Sequence, residues 1–270
     1  MKYLIVANWK CNPPTLKEAE KLFSLIREGV KNIKNAEVIV CPPFIYIARI
    51  QNTGYKIQDT RYKIRIGAQD CFWENPPTGG GAFTGEISPA MLKNLAVKYA
   101  IIGHSERRKY QKETDEMVNK KLKAALKAGL TPILCVGSKK RGEKGNQEMK
   151  VQLESALTGI KRAELEKIVF TYEPVWAIST TKRSIVATPE NTKGEAIFIR
   201  KILTKLFDKT IAQKARVIYG GSVDNTNIRD FIEKAQMDGV LIGAASLRPD
   251  DFIAAVKKVD ASIKFSINSE

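Results

Sequence analysis

An α/β fold, a closed (β/α)8 barrel, is what this 270-residue chain predicts, and two observations carry that expectation. Eight short apolar runs recur along the sequence, and helix-capped or amphipathic segments separate them. A strand buried on both faces reads as a short continuous apolar run, and strict strand–helix alternation implies parallel pairing through right-handed crossovers. Eight such repeats suit a closed barrel better than an open sheet. No Ser/Gly linker, charge block or low-complexity tract interrupts them, so residues 1–270 are expected to form one barrel domain.

The predicted strands are Tyr3–Ala7, Glu37–Cys41, Ile64–Ala68, Tyr99–Ile102, Thr131–Val136, Ile168–Tyr172, Arg216–Tyr219 and Gly239–Ile242. Between the first two, Thr15-Leu16-Lys17-Glu18 has capping-box spacing, and Leu16, Ala19, Phe23 and Ile26 fall on one helical face. Ser88-Pro89 opens another helix, with proline where no N–H is needed. Asp115 to Ala128 is closed by Gly129 as a left-handed cap. Asn191 to Phe207, Asn225 to Ala235 and Asp250 to Val259 complete the predicted helices. Three loops after strands are long for βα connections: Asp70–Gly85, Gly137–Gly145 and Pro174–Pro189. In a barrel all three lie on the catalytic face, where such loops act as lids or contact surfaces.

Composition excludes several classes. No apolar run approaches the roughly 20 residues that span a bilayer, and the apolar segment Tyr3–Ala7 is too short for a secretory h-region. The four cysteines, Cys11, Cys41, Cys71 and Cys135, form no Cys-x-x-Cys pair, and a single histidine leaves no zinc spacing. A reducing, cytoplasmic setting without a metal or membrane partner is expected. The formal charge of +16 favours anionic partners in general. Its lysines, however, are spread over predicted helices rather than grouped with aromatic platforms, so no nucleic-acid partner is expected.

The candidate chemistry sits just past the strand ends. The first strand delivers Asn8-Trp9-Lys10, the fourth His104 and Glu106, the sixth Glu173, the seventh Gly220-Gly221-Ser222 and the eighth Gly243-Ala244-Ala245-Ser246. Barrel closure brings these distant positions to one rim. A carboxylate there can remove a proton from a carbon beside a carbonyl, while an imidazole and an ammonium stabilise charge developing on oxygen. Glycine-bearing turns supply backbone N–H groups that hold an anion. The combination implies a small phosphorylated carbonyl compound. A surface lysine, a structural histidine or a plain Gly-Gly turn would each be ordinary alone; their joint placement after successive strands favours the functional reading.

Six blocks then occur in order: Asn8-Trp9-Lys10, Gly81-Ala82-Phe83-Thr84-Gly85-Glu86, Gly103-His104-Ser105-Glu106-Arg107-Arg108, Tyr172-Glu173-Pro174-Val175-Trp176-Ala177-Ile178, Tyr219-Gly220-Gly221-Ser222-Val223 and Ala245-Ser246-Leu247. Through them the chain resembles the triosephosphate isomerase family over nearly its whole length. The resemblance implies a TIM barrel that interconverts dihydroxyacetone phosphate and D-glyceraldehyde 3-phosphate in glycolysis and gluconeogenesis, as a cofactor-free homodimer. It implies that Glu173 is the base, His104 the electrophile and Lys10 the charge stabiliser. Asn8 stands beside Lys10 in the substrate site, and Glu106 pairs with Lys10. Ser179, Ser222, Gly243 and Ala244 match phosphate contacts. Pro174, Val175, Trp176, Ala177, Ile178, Ser179, Thr180 and Thr181 match the lid, and Tyr219 would hydrogen-bond it when closed. Loop Asp70–Gly85, with Cys11 and Thr84, would meet the partner subunit.

The chain also departs from the family pattern. After Ile178 the usual glycine-flanked lid sequence is replaced by Ser179-Thr180-Thr181-Lys182-Arg183-Ser184-Ile185-Val186, and non-glycine residues narrow the angles open to a moving loop. Ala244 replaces a glycine of the phosphate turn, Ser138 a glutamate that helps position the lid, and Asp70 an asparagine at the base of the interface loop. Pro76–Gly80 lengthen that loop. These departures leave two alternatives to an ordinary isomerase: one with altered lid behaviour or substrate preference, and a catalytically silent phosphate-binding barrel.

Overall fold

The computed structural model describes residues 1–51, 64–74, 76, 78–177 and 187–262. Eight parallel strands, β1 (Tyr3–Asn8), β2 (Ala36–Cys41), β3 (Ile64–Ala68), β4 (Tyr99–Ile102), β5 (Thr131–Val136), β6 (Val169–Tyr172), β7 (Arg216–Tyr219) and β8 (Gly239–Ile242), close in sequence order, with β8 pairing back onto β1. Each apolar run therefore forms a strand, within one residue at either end. Side chains alternate across the wall: Tyr3, Ile5 and Ala7 pack outward against helices, whereas Leu4 and Val6 join Ile39, Cys41, Ile101, Ile133, Cys135, Val169, Ile218 and Leu241 in a plug inside the barrel. The same two-residue period carries Asn8, Glu173 and Gly220 above that plug, at the C-terminal mouth.

The helices are α1 (Leu16–Gly29), α2 (Phe44–Gln51), α3 (Pro89–Asn94), α4 (Ser105–Tyr110), α5 (Asp115–Lys127), α6 (Glu143–Ala156), α7 (Arg162–Leu165), α8 (Pro189–Leu206), α9 (Lys209–Lys214), α10 (Ile228–Glu233) and α11 (Pro249–Asp260). The capping box of α1 forms: Thr15 N–H reaches Glu18 Oε2 at 3.2 Å while Glu18 N–H reaches Thr15 Oγ1 at 3.3 Å. Ser88 caps α3, and Gly129 follows α5 at φ +75°. Helix α8 starts before the expected Asn191, because Thr188 is its cap and Pro189 its first residue. Helix α10 is shorter than expected. Asp224 accepts from the Thr226 N–H at 2.8 Å and Asn227 Oδ1 from the Asp224 N–H at 3.1 Å, so these short polar side chains make turns in place of a first helical turn.

The loop expected over Gly137–Gly145 needs correction, since α6 begins at Glu143. Gly145 disguised that start: glycine is a poor helix former, yet a Cβ there would lie 2.4 Å from the Lys140 carbonyl oxygen. The loop after β3 carries a packed aromatic set, with Phe72 against Trp73 at 4.4 Å and against Phe83 at 5.0 Å between ring centroids. At its base Asp70 is buried. Both its oxygens accept from Lys121 Nζ, at 2.8 and 2.7 Å, and Arg107 Nη2 stands 2.9 Å away. Glu113 pairs with the same Lys121 and Arg107, making a cluster of two acids and two bases in which all but Arg107 are buried.

Candidate active site

Every described residue expected in the substrate site lines one cavity of about 470 Å³ at the C-terminal mouth: Asn8, Lys10, His104, Glu106, Glu173, Ser222, Gly243 and Ala244. Backbone placement comes first. Lys10 adopts φ +53°, a left-handed conformation uncommon for a side-chain-bearing residue. Its N–H is held by Asn8 Oδ1 at 3.1 Å and its carbonyl by Gln69 Nε2 at 2.8 Å. The same Gln69 amide reaches the Cys41 carbonyl at 2.9 Å, tying the ends of β1 and β2 together. From this fixed backbone the Lys10 ammonium pairs with Glu106 Oε1 at 2.6 Å.

His104 caps α4 and is buried. Its Nδ1 accepts the Glu106 N–H at 3.2 Å, which assigns the ring proton to Nε2. That Nε2 lies 3.1 Å from Glu173 Oε1, while Glu173 Oε2 accepts the Ser105 N–H at 3.0 Å. Glu173 is only 2% exposed and directly follows β6, with its N–H on the Val136 carbonyl at 2.8 Å. Glycine makes this approach possible: a Cβ on Gly137 would overlap the Glu173 carbonyl oxygen at 1.8 Å, and one on Gly220 would meet Glu173 Cγ at 3.2 Å. Gln152 clamps Gly137 from α6, its amide bonding both the N–H and the carbonyl at 2.9 Å.

On the opposite side of the cavity Gly243 opens the short turn Ala244–Leu247, held by Ser246 Oγ donating to the Gly243 carbonyl at 2.7 Å. Ser222 Oγ donates to the Ala177 carbonyl at 3.1 Å. Pro174 and the turn Val175–Ala177 follow the base, with Ala177 N–H on the Pro174 carbonyl at 2.7 Å. Ile178, Ser179, Thr180 and Thr181 lie outside the described residues. Tyr219 is buried and stacks on Phe231 with ring centroids 4.0 Å apart. Burial pushes its hydroxyl upward in pKa, as it does that of Tyr172. Ser138 hydrogen-bonds Glu148 at 2.5 Å, so α6 brings a carboxylate to the place where Ser138 has none.

Gln69, Gly137 and Gln152 were not singled out from sequence. Each acts on backbone far away in the chain, and an isolated glutamine carries no local signal of that. Only Gln69's position one residue past β3 hinted at it.

This arrangement can move a proton at a carbon beside a carbonyl: a desolvated carboxylate, an N–H donor and an ammonium converge on one pocket. Comparison with known proteins agrees. The family model described as triosephosphate isomerase matches residues 3–259. Among curated proteins named triosephosphate isomerase, that of Dictyoglomus turgidum is 43% identical over 92% of this chain and 96% of its own length. That of Dictyoglomus thermophilum is 44% identical over 94% and 98%, and that of Aquifex aeolicus 40% over 95% and 99%.

Proposed function

This chain belongs to the triosephosphate isomerase family, and from that premise we propose how its residues divide the reaction. The activity is the aldose–ketose interconversion of dihydroxyacetone phosphate and D-glyceraldehyde 3-phosphate. Glu173 is the base. It takes a proton from the carbon beside the carbonyl, the electron pair moves onto the carbonyl oxygen, and an enediolate forms. His104 Nε2–H donates to the enediolate oxygens and the Lys10 ammonium stabilises their charge. His104 Nε2 gives its proton to the first oxygen and takes up that of the neighbouring hydroxyl, and Glu173 returns its proton to the neighbouring carbon as the new carbonyl closes.

Asn8 and Glu106 hold Lys10 on station, the first through its N–H at 3.1 Å and the second through its ammonium at 2.6 Å. The backbone N–H groups of Gly243 and Ala244, with Ser222 and Ser179, receive the phosphate. Pro174 to Thr181 form the lid. Residues 1–270 act as one barrel domain in a cytoplasmic homodimer, with loop Asp70–Gly85 between subunits. The exposed ring of Phe83, at 40%, supports that contact surface.

One observation carries the assignment: the Glu173 carboxylate lies 3.1 Å from His104 Nε2 in the cavity that also holds Lys10. The test is a coupled assay with glyceraldehyde 3-phosphate. Glu173→Ala should lose several orders of magnitude in kcat while circular dichroism stays native. Equal turnover in both proteins would remove Glu173 from the role of base.

A further inference from the structure

The turn that follows the base is held from outside the substrate cavity. The guanidinium of Arg141 stands 4.1 Å from the centre of the Trp176 ring, and Tyr172 lines the same outer cavity as both. Trp176 lies three residues after Glu173, so the Arg141 contact falls on the C-terminal flank of the base. Arg141 forms no ion pair among the described residues; the indole face is the contact its charge makes.

Its loop is rigidly built. Ser138 Oγ accepts the Lys140 N–H at 2.8 Å and donates to Glu148 at 2.5 Å. Gly142 turns the chain at φ +64°, and Gly145 leaves room for the Lys140 carbonyl. Gln152 fixes the loop's first residue, Gly137, against the Glu173 backbone. The loop after β5 therefore meets the segment around the base at two points: the Glu173 backbone through Gly137 and the Trp176 ring through Arg141.

We propose that Arg141 is a positioning residue for the isomerase reaction: by stacking on Trp176 it fixes the turn Val175–Ala177 and hence the aim of Glu173. In the structure Glu173 Oε2 is tied to the Ser105 N–H, so the carboxylate must shift to reach a substrate carbon, and the stiffness of its C-terminal flank sets where it arrives. The inference rests on Glu173 being the base. The proposed phosphate contacts at Gly243 and Ala244 lie on a separate turn after β8, so loosening the flank acts more on kcat than on KM.

Arg141→Ala should lower kcat roughly threefold to tenfold, the range a partly exposed cation–π contact permits, with KM within about twofold of wild type. Arg141→Lys, which keeps a cation over the ring, should recover part of that loss, and Arg141→Gln should not. An independent readout is the indole N–H resonance of Trp176 in ¹⁵N-labelled protein, assigned by its disappearance in Trp176→Phe. It should move in Arg141→Ala and move back toward wild type in Arg141→Lys. Wild-type kcat together with an unmoved indole resonance in Arg141→Ala would overturn the proposal. So would equal loss in the lysine and glutamine variants. Failure of the base assignment looks different: Glu173→Ala would then retain activity, whatever the Arg141 variants do.

Discussion

Replacing Asp70 by asparagine should flatten the pH dependence of folding stability, and the buried cluster sets the size of the effect. Burial raises the Asp70 carboxyl from 3.8 to about 6 and the neighbouring Glu113 charge adds to this, against the opposing pull of Lys121 and Arg107. The native state thus binds this proton more tightly than the unfolded chain does. An acid of that kind leaves the protein most stable below its unfolded value of 3.8. Stability then falls as pH rises through the window up to about 6, and is flat above it. About two pH units between the two states correspond to ~3 kcal/mol in total, of which about 1 kcal/mol falls between pH 5 and pH 8. Asparagine has the same shape and no proton to lose. The stability of Asp70→Asn minus that of wild type should therefore grow by about 1 kcal/mol from pH 5 to pH 8, a few degrees in Tm. Urea titrations of both proteins at matched concentration, followed by tryptophan fluorescence, give that difference with other titrations cancelled. A constant gap across the range, or one that narrows as pH rises, would refute the reasoning.

Two further expectations concern the wall of the site and the loop beside it. Gly137→Ala places a methyl group on the Glu173 carbonyl oxygen, which backbone cannot yield, so a loss of about 3 kcal/mol in stability and a drop in kcat should appear together. A native-like Tm in that variant would contradict the packing described. Phe83→Glu should convert a dimeric protein to monomers in sedimentation at micromolar concentration, whereas an unchanged mass would exclude Phe83 from a subunit contact.

The barrel was legible because burial on both strand faces leaves an apolar run that hardly depends on context. Polar residues past the strand ends were legible for a related reason: once the strands are placed, parity and closure gather Asn8, His104 and Glu173 without further information. What escaped was geometry set by remote backbone. Helix α6 was hidden by Gly145, whose lack of a side chain serves the Lys140 carbonyl rather than the helix. The shortened α10 reflects Asp224, Thr226 and Asn227 bonding to nearby backbone and side chains, a competition with the helix that periodicity does not register. The Asp70 cluster joins residues 51 positions apart in the case of Lys121, and only the folded chain shows that the charge introduced at Asp70 is answered.

The backbone of Lys10 has a consequence for how such a chain can evolve. At φ +53° it occupies a conformation that glycine would enter at about 1 kcal/mol less cost than a residue bearing a side chain. Drift toward a sturdier protein therefore points, at this position, to the residue that has no amine. On the role proposed for Lys10, robustness and turnover pull in opposite directions on one codon.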